Sequence, residues 1–188
     1  MDAITLLKND HKTVSALFKR FDKLGDGATK SKQEIVDKII EELSIHAAIE
    51  EQLFYPAARE CVPETEDHVL ESLEEHHIVK WVLSELDGMD PSHERFDAKV
   101  TVLKENVEHH VEEEEQEWFP KVREAMGRKA LQELGAAMEK AKKTAPKRPH
   151  PRSPDTPPGN IVVGAAAGLI DTARKTGKAA VKRASARR

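Results

Sequence analysis

Four histidines and two glutamates recur in this chain in a pattern able to hold metal. HAAIEEQLFYP runs from His46 to Pro56, and HVEEEEQEWFP from His110 to Pro120. Each segment gives His, then Glu four residues on and Gln two further. Tyr or Phe follows nine after the His and Pro ten after it, and the two copies are offset by 64 residues. NDHKTV around His11 and EEHHIV around His76 repeat at an offset of 65. The chain therefore reads as two helical hairpins, each carrying one lone His and one His-x-x-x-Glu.

Residues four apart share a helix face, so His46 points with Glu50 and His110 with Glu114. Their direction decides the chemistry. At roughly 100° per residue, Ile39, Leu43 and Leu53 all lie within about 60° of His46. Phe96, Leu103 and Val107 flank His110 in the same way. His11 lies among Ile4, Leu7 and Phe18, and His76 among Leu73, Val79 and Leu83. Six polar side chains thus aim at the core, where an unpartnered polar group costs several kcal/mol, roughly 2–7 each. Metal ions would partner all six together. Imidazole with carboxylate suits iron, zinc or manganese, and the lack of thiolates argues against a structural cysteine-type zinc site. Bridging glutamates would let the set serve two ions. Positions would stay open, beside an oxo or hydroxo bridge, for oxygen, peroxide or nitric oxide.

The elements that must position these residues are helices. Apolar residues at helical spacing predict helices over about 2–24, 31–60, 65–86 and 93–126, with a short fifth over 128–143. DKLGDGATKS, Val62-Pro63 and DGMDPS separate the first four. Four long helices joined by short loops predict an all-α, antiparallel up-down four-helix bundle over residues 1–143, with a short extra helix. Residues 144–160, holding six of the ten prolines, predict an extended linker. Residues 161–188 predict a disordered basic tail. The whole chain carries 30 Lys+Arg against 34 Asp+Glu. Residues 144–188 hold ten basic residues and two acidic ones, so the body is acidic and the end basic. The single cysteine, Cys61, fits a reducing compartment. No secretory pattern opens the chain, and no apolar run is long enough for a membrane span. These features predict a cytoplasmic protein.

His11, His46-x-x-x-Glu50, His76 and His110-x-x-x-Glu114 resemble the hemerythrin HHE cation-binding domain, over about residues 2–126. The resemblance implies a non-haem centre of two iron ions, oxo- or hydroxo-bridged, on those six residues. It also marks two departures. The family's oxygen carriers have a fifth histidine one turn beyond the third-helix ligand, where this chain has Lys80. They use His-x4-Asp in the fourth helix, where this chain has His110 and Glu114. Both departures move the expected role from carrying oxygen toward reacting with hydrogen peroxide or nitric oxide, under oxidative stress, with peroxidase- or catalase-like turnover.

The remaining candidates are secondary. His77 is the alternative to His76, and His77 and His109 otherwise read as surface or supporting residues. His68, His93 and His150 have no partners by spacing. Glu51, Glu112, Glu113 and Glu115 read as a solvated face from which some carboxylates orient the histidines. Tyr55 is the sole tyrosine. Its match to Phe119 in the repeat favours simple packing; the alternative is that a helix perturbed by Pro56 turns it inward, to fill the vacant histidine position or to give a proton to bound peroxide. Trp81 and Trp118 read as packing residues. The expected partners are a small diatomic or peroxide ligand, with no specific nucleic acid and no membrane, and an acidic partner for the basic tail. Two readings without turnover stand beside this one: an iron- or oxidant-responsive interaction module, and an iron reservoir.

Overall fold

A computed structural model of the chain describes residues 1–157, 159 and 160. Among these the structure is all-helical, and no helix is long and apolar enough to cross a membrane. Helix α1 spans Ala3–Phe21. Its start is set by Asp2, whose carboxylate accepts the Thr5 N–H at 2.9 Å. Helix α2 spans Thr29–Ile49, runs through a π-helical turn at Glu50–Phe54, and continues as α3 over Tyr55–Cys61. A 3₁₀ turn at Pro63–Thr65 leads into α4, Glu66–Leu86. Helix α5 spans Phe96–Glu113, passes through a second π turn at Glu114–Trp118, and continues as α6 over Phe119–Ala141.

Neighbouring helices run antiparallel. Lys32 near the start of α2 lies over the Phe21 ring at the end of α1. Lys99 early in α5 pairs with Glu85 late in α4. Helix α6 breaks at Gly127, whose φ of 72° and ψ of 169° suit glycine alone. Its second half folds back on the start of α1, burying Leu131 and Met138 with Ala3 and Leu7. Gly135 makes this crossing possible. A Cβ there would sit 2.5 Å from the Met1 carbonyl oxygen and 2.8 Å from the Ala3 nitrogen.

The apolar interior falls into two clusters. One gathers Leu7, Ile49, Phe54, Trp118 and Phe119. The other gathers Val14, Leu43, Val79, Leu103 and Val107. The candidate histidines and glutamates form the layer between them. Trp118 packs as expected, with its indole N–H donated to Thr65 Oγ1 at 3.1 Å. Trp81 does not: it lies on the outer face of α4, 46% exposed.

Of residues 144–160, expected as an extended linker, those described lie along the bundle. Lys147 bonds Glu41 on α2 at 2.9 Å, Arg148 bonds Asp87 at 2.8 Å, and Gln52 donates to the Asn160 carbonyl at 3.3 Å. The basic tail expected over 161–188 lies outside the described residues.

Gly135→Ala gains helix propensity but forces backbone against backbone. Overpacking of this kind costs about 1–3 kcal/mol, so the thermal midpoint should fall by about 2–10 °C. Gly25→Ala, with nothing within 4 Å of the added Cβ, should leave it nearly unchanged. Calorimetry of the two variants distinguishes close approach from a general intolerance of glycine replacement.

Candidate metal centre

The two π turns build the site. A proline ring clashes with the carbonyl four residues back and offers no N–H to it. At Pro56 and Pro120 the helix widens before the proline instead of breaking. Tyr55 N–H then bonds Glu50 O, and Phe119 N–H bonds Glu114 O, each five residues back. In an unbroken α-helix Tyr55 would lie roughly 180° from His46. Widening by one residue removes about 100° of that rotation and brings the ring inward.

The structure brings all six expected ligands together. His11, His46, His76, His110, Glu50 and Glu114 are all buried, with both glutamates fully inaccessible. Ligand atoms of His11, His46, Glu50 and Glu114 lie within 4.8 Å of one another, as do those of Glu50, His76 and His110. His77 is exposed, so of the two neighbours it is His76 that joins the layer. His93 is exposed too, and His150 lies in the segment outside the bundle.

Each imidazole is oriented from behind by a carboxylate. His11 Nδ1 lies 2.9 Å from Glu115, His46 Nδ1 3.5 Å from Asp10, His76 Nδ1 3.0 Å from Glu51, and His110 Nδ1 2.6 Å from Glu75. Asp10 and Glu75 act within a hairpin; Glu51 and Glu115 reach across to the other one. A carboxylate can only accept, so these contacts place the proton on Nδ1 and turn the Nε2 lone pair into the layer. The lone pairs then oppose one another. His11 and His46 meet Nε2 to Nε2 at 3.2 Å, and so do His76 and His110.

The glutamates add to the excess of acceptors. Both oxygens of Glu50 and Oε2 of Glu114 are buried without a hydrogen bond. Glu50 Oε2 stands 3.1 Å from His46 Nε2, close but unaligned for donation. Burial, then the facing Glu114, pushes Glu50 well above the usual carboxylate range. Burial raises Glu114 as well, but the nearby His110, His11 and His46 outweigh it and hold this carboxyl low. Burial lowers His46 and, further, His76; it lowers His110 too, but Glu114 and Glu75 outweigh it there and raise that imidazole. With Nδ1 committed on each ring, the layer is crowded with acceptors, and one hydroxyl enters it.

That hydroxyl belongs to Tyr55. It lies 3.1 Å from His76 Nε2, 3.5 Å from His110 Nε2 and 3.3 Å from Glu114 Oε1. Burial, then Glu50 and Glu114, pushes the pKa of Tyr55 well above 10, so the phenol keeps its proton. The repeat partner Phe119 instead stacks on His11, centroids 5.9 Å apart and planes 10° from parallel. Lys80, at the vacant histidine position, turns away and pairs with Glu51 at 2.7 Å. Sequence reading considered Glu51 and Glu115 but missed Asp10 and Glu75. The signal was present: both repeats place an acid directly before the lone His, and both place one directly after the glutamate of His-x-x-x-Glu.

Fold and layer together define a helical bundle with buried His/Glu sites for metal cations. The hemerythrin HHE cation binding domain profile matches residues 2–122, and the chain belongs to that family. An uncharacterised hemerythrin-like protein of Schizosaccharomyces pombe is 26% identical over 166 residues, spanning 88% of this chain and 81% of the relative. The crystal structure of a hemerythrin HHE cation binding domain-containing protein from Mycobacterium kansasii matches with a TM-score of 0.63 at 26% identity. The match covers 76% of this chain and 88% of that one. A DNA nickase of Nostoc is 26% identical over 142 residues, but the match spans only 39% of its length.

Replacing Glu115 by Ala should weaken metal binding about 10–100-fold by releasing His11. Glu112→Ala, at an exposed position whose carboxylate meets only Gln116, should leave affinity unchanged. Competition against a chelator of known affinity measures both.

Proposed function

We propose that the protein holds two iron ions on His11, His46, Glu50, His76, His110 and Glu114, and binds or turns over a small oxidant there: oxygen, hydrogen peroxide or nitric oxide. One observation carries the reading. Four imidazoles held at Nδ1 direct Nε2 lone pairs toward one another and two buried carboxylates, a donor set that metal cations would partner all together. The residues therefore fit a metal pair by the chemistry of the donor set. Bound iron would supply redox chemistry and open positions for a small ligand.

The chain's own residues set the rest. Val14, Leu43, Val79, Val107 and Val111 line a small cavity against the histidines, which suits an uncharged diatomic or peroxide better than a larger polar substrate. On the opposite side, the Tyr55 hydroxyl puts a proton within reach of the layer. In this reading Tyr55 is the catalytic residue, handing that proton to bound peroxide, which gives a peroxidase- or catalase-like activity.

A second reading, an oxidant-responsive interaction module, is favoured by the segment after α6. Lys142 bonds Asp10 at 2.6 Å, and Asp10 backs His46. Pro146, Arg148 and Asn160 line a cavity with Glu51 and Lys80, and Glu51 backs His76. A change in the layer would reach this segment through two carboxylates. Ending the chain after Lys143 should then alter partner binding while leaving the metal spectrum intact.

Metal analysis with an optical spectrum, before and after adding peroxide, tests the leading reading. Purified protein should carry two irons with ferric charge-transfer bands, and His46→Ala and Glu114→Ala should lose metal. Full iron content in those variants would sink the idea. Tyr55→Phe should keep both irons yet slow peroxide turnover about 100-fold, in the range for loss of a general acid. Unchanged turnover would remove Tyr55 from the chemistry.

A further inference from the structure

A second set of metal-seeking side chains lies outside the layer. His68, Glu71 and Glu75 fall at i, i+3 and i+7 on one face of α4, and His109 and Glu113 at i and i+4 on α5. His109-x-x-x-Glu113 is one residue out of step with His110-x-x-x-Glu114. That step turns it about 100°, from the interior to the outer edge where α4 and α5 meet. Ligand atoms of His68, Glu71 and Glu113 lie within 4.8 Å of one another, and so do those of Glu75, His109 and Glu113. Glu113 belongs to both groups.

Three observations set this edge apart from an ordinary acidic surface. The first is uncompensated charge. Of the four carboxylates behind the inner histidines, three carry a lysine: Asp10 with Lys142 at 2.6 Å, Glu51 with Lys80 at 2.7 Å, Glu115 with Lys8 at 3.2 Å. Glu75 has none. Among the described residues, neither it nor Glu71 nor Glu113 is paired with Lys or Arg; Glu75 and Glu113 meet only histidines. The second is an orphan: His68 Nε2 is buried with no hydrogen-bond partner, while its ring rests edge-on against Trp118. The third comes from the repeat. The positions in the first hairpin that match His68, Glu71, His109 and Glu113 are Ala3, Leu6, Ile45 and Ile49. Helix α6 buries Ala3 there, and Leu6 and Ile49 belong to the same core. The fold of the hairpin does not call for histidine or glutamate at these places; in the second hairpin Glu71 and His109 are exposed, His109 with a side chain 64% exposed, and His68 and Glu113 half-buried.

We propose that this outer edge binds one divalent cation of the class that takes imidazole and carboxylate together, such as Fe²⁺, Mn²⁺ or Zn²⁺, and delivers it to the inner layer. Glu75 is the link. Its Oε2 bonds His110 Nδ1 at 2.6 Å, and its Oε1 faces His109 Nε2 at 4.0 Å. One carboxylate thus touches an outer donor and an inner ligand at once. The mixed nitrogen and oxygen set, open to solvent on one side, suits a site that exchanges its ion rather than one that stores it. The transfer rests on the inner layer's holding metal; the outer site does not.

The test uses the full chain stripped of metal and titrated with Zn²⁺ by calorimetry and metal analysis. Wild type should take three equivalents and His109→Ala/Glu113→Gln two, with circular dichroism unchanged. Glu71→Gln/His109→Ala, confined to two exposed positions, provides a second variant if the first unfolds. Iron uptake from anaerobic Fe²⁺ should be about tenfold slower in these variants, at the low end of the 10–100-fold loss expected on removing a supporting ligand, and the final inner content should be equal. Saturation of wild type at two equivalents, or a third ion retained by both variants, would overturn the outer site. Equal uptake rates would overturn the transfer. If wild type took a single ion and the outer variants none, the outer site would stand and the inner pair would fall.

Discussion

The structure depends on four imidazoles being held by one nitrogen so that the other must face its neighbours. A neutral histidine has one donor and one acceptor, and it is free to choose which nitrogen plays which part. Asp10, Glu51, Glu75 and Glu115 remove that choice. Once Nδ1 is committed, Nε2 lone pairs stand 3.2 Å apart in two pairs, with buried carboxylate oxygens beside them. Burial opposes supplying positive charge by protonating His46 or His76. The lysines that could do so sit behind the carboxylates: Lys8, Lys80 and Lys142 neutralise the supports rather than the ligands. A cation between the imidazoles is what the arrangement leaves room for, and its binding would stabilise the bundle by mass action.

Everything larger serves to bring those supports into register. Two of the carboxylates act inside a hairpin and two between hairpins, so the layer cannot assemble until both halves of the chain meet. The apolar clusters above and below do the bulk of the work of association, at about 1.5–3 kcal/mol for each large side chain buried. They also set the environment in which the polar layer operates. With Phe54, Trp118 and Phe119 on one side and Val14, Val79 and Val107 on the other, little water screens the charges. Electrostatic contacts that would be weak at the surface become decisive there.

Much of this was legible in the sequence, because the repeat repeats chemistry and not only hydrophobicity. Inward direction followed from the apolar neighbours of His46 and His110, and the helical bundle followed from the spacing of the same residues. What could not be read was rotation. A helix assumed regular places Tyr55 on the wrong side of its own axis; only a widened turn before Pro56 swings it to His76. Proline signals that a helix is disturbed, but not whether it will kink, stop or widen. The support from Asp10 and Glu75 was hidden for a related reason. Each backs a histidine on the adjacent helix and not the one beside it in sequence, a pairing that emerges only when helices are set against one another. Trp81 shows the converse limit, since an aromatic at helical spacing does not by itself say which side of the helix is covered.

The two hairpins are alike in what holds the layer and unlike in what surrounds it, and the differences all fall on one half. At the His76 and His110 end, Tyr55 replaces the phenyl ring that its repeat partner presents to His11. At the same end, Glu75 is backed by a histidine where its counterpart Asp10 is backed by Lys142. Helix α6 seals the outer edge of the first hairpin, while the outer edge of the second stays open. A symmetric cage would treat its two positions identically and would suit storage of two equivalent ions. Here the Tyr55 hydroxyl lies on the inner side of one position, and Glu71, Glu75 and Glu113 lie on its outer side. Replacement of a single ring in one repeat, and the folding of one helix over the other, are enough to make the two halves of the layer chemically unlike and unequally covered.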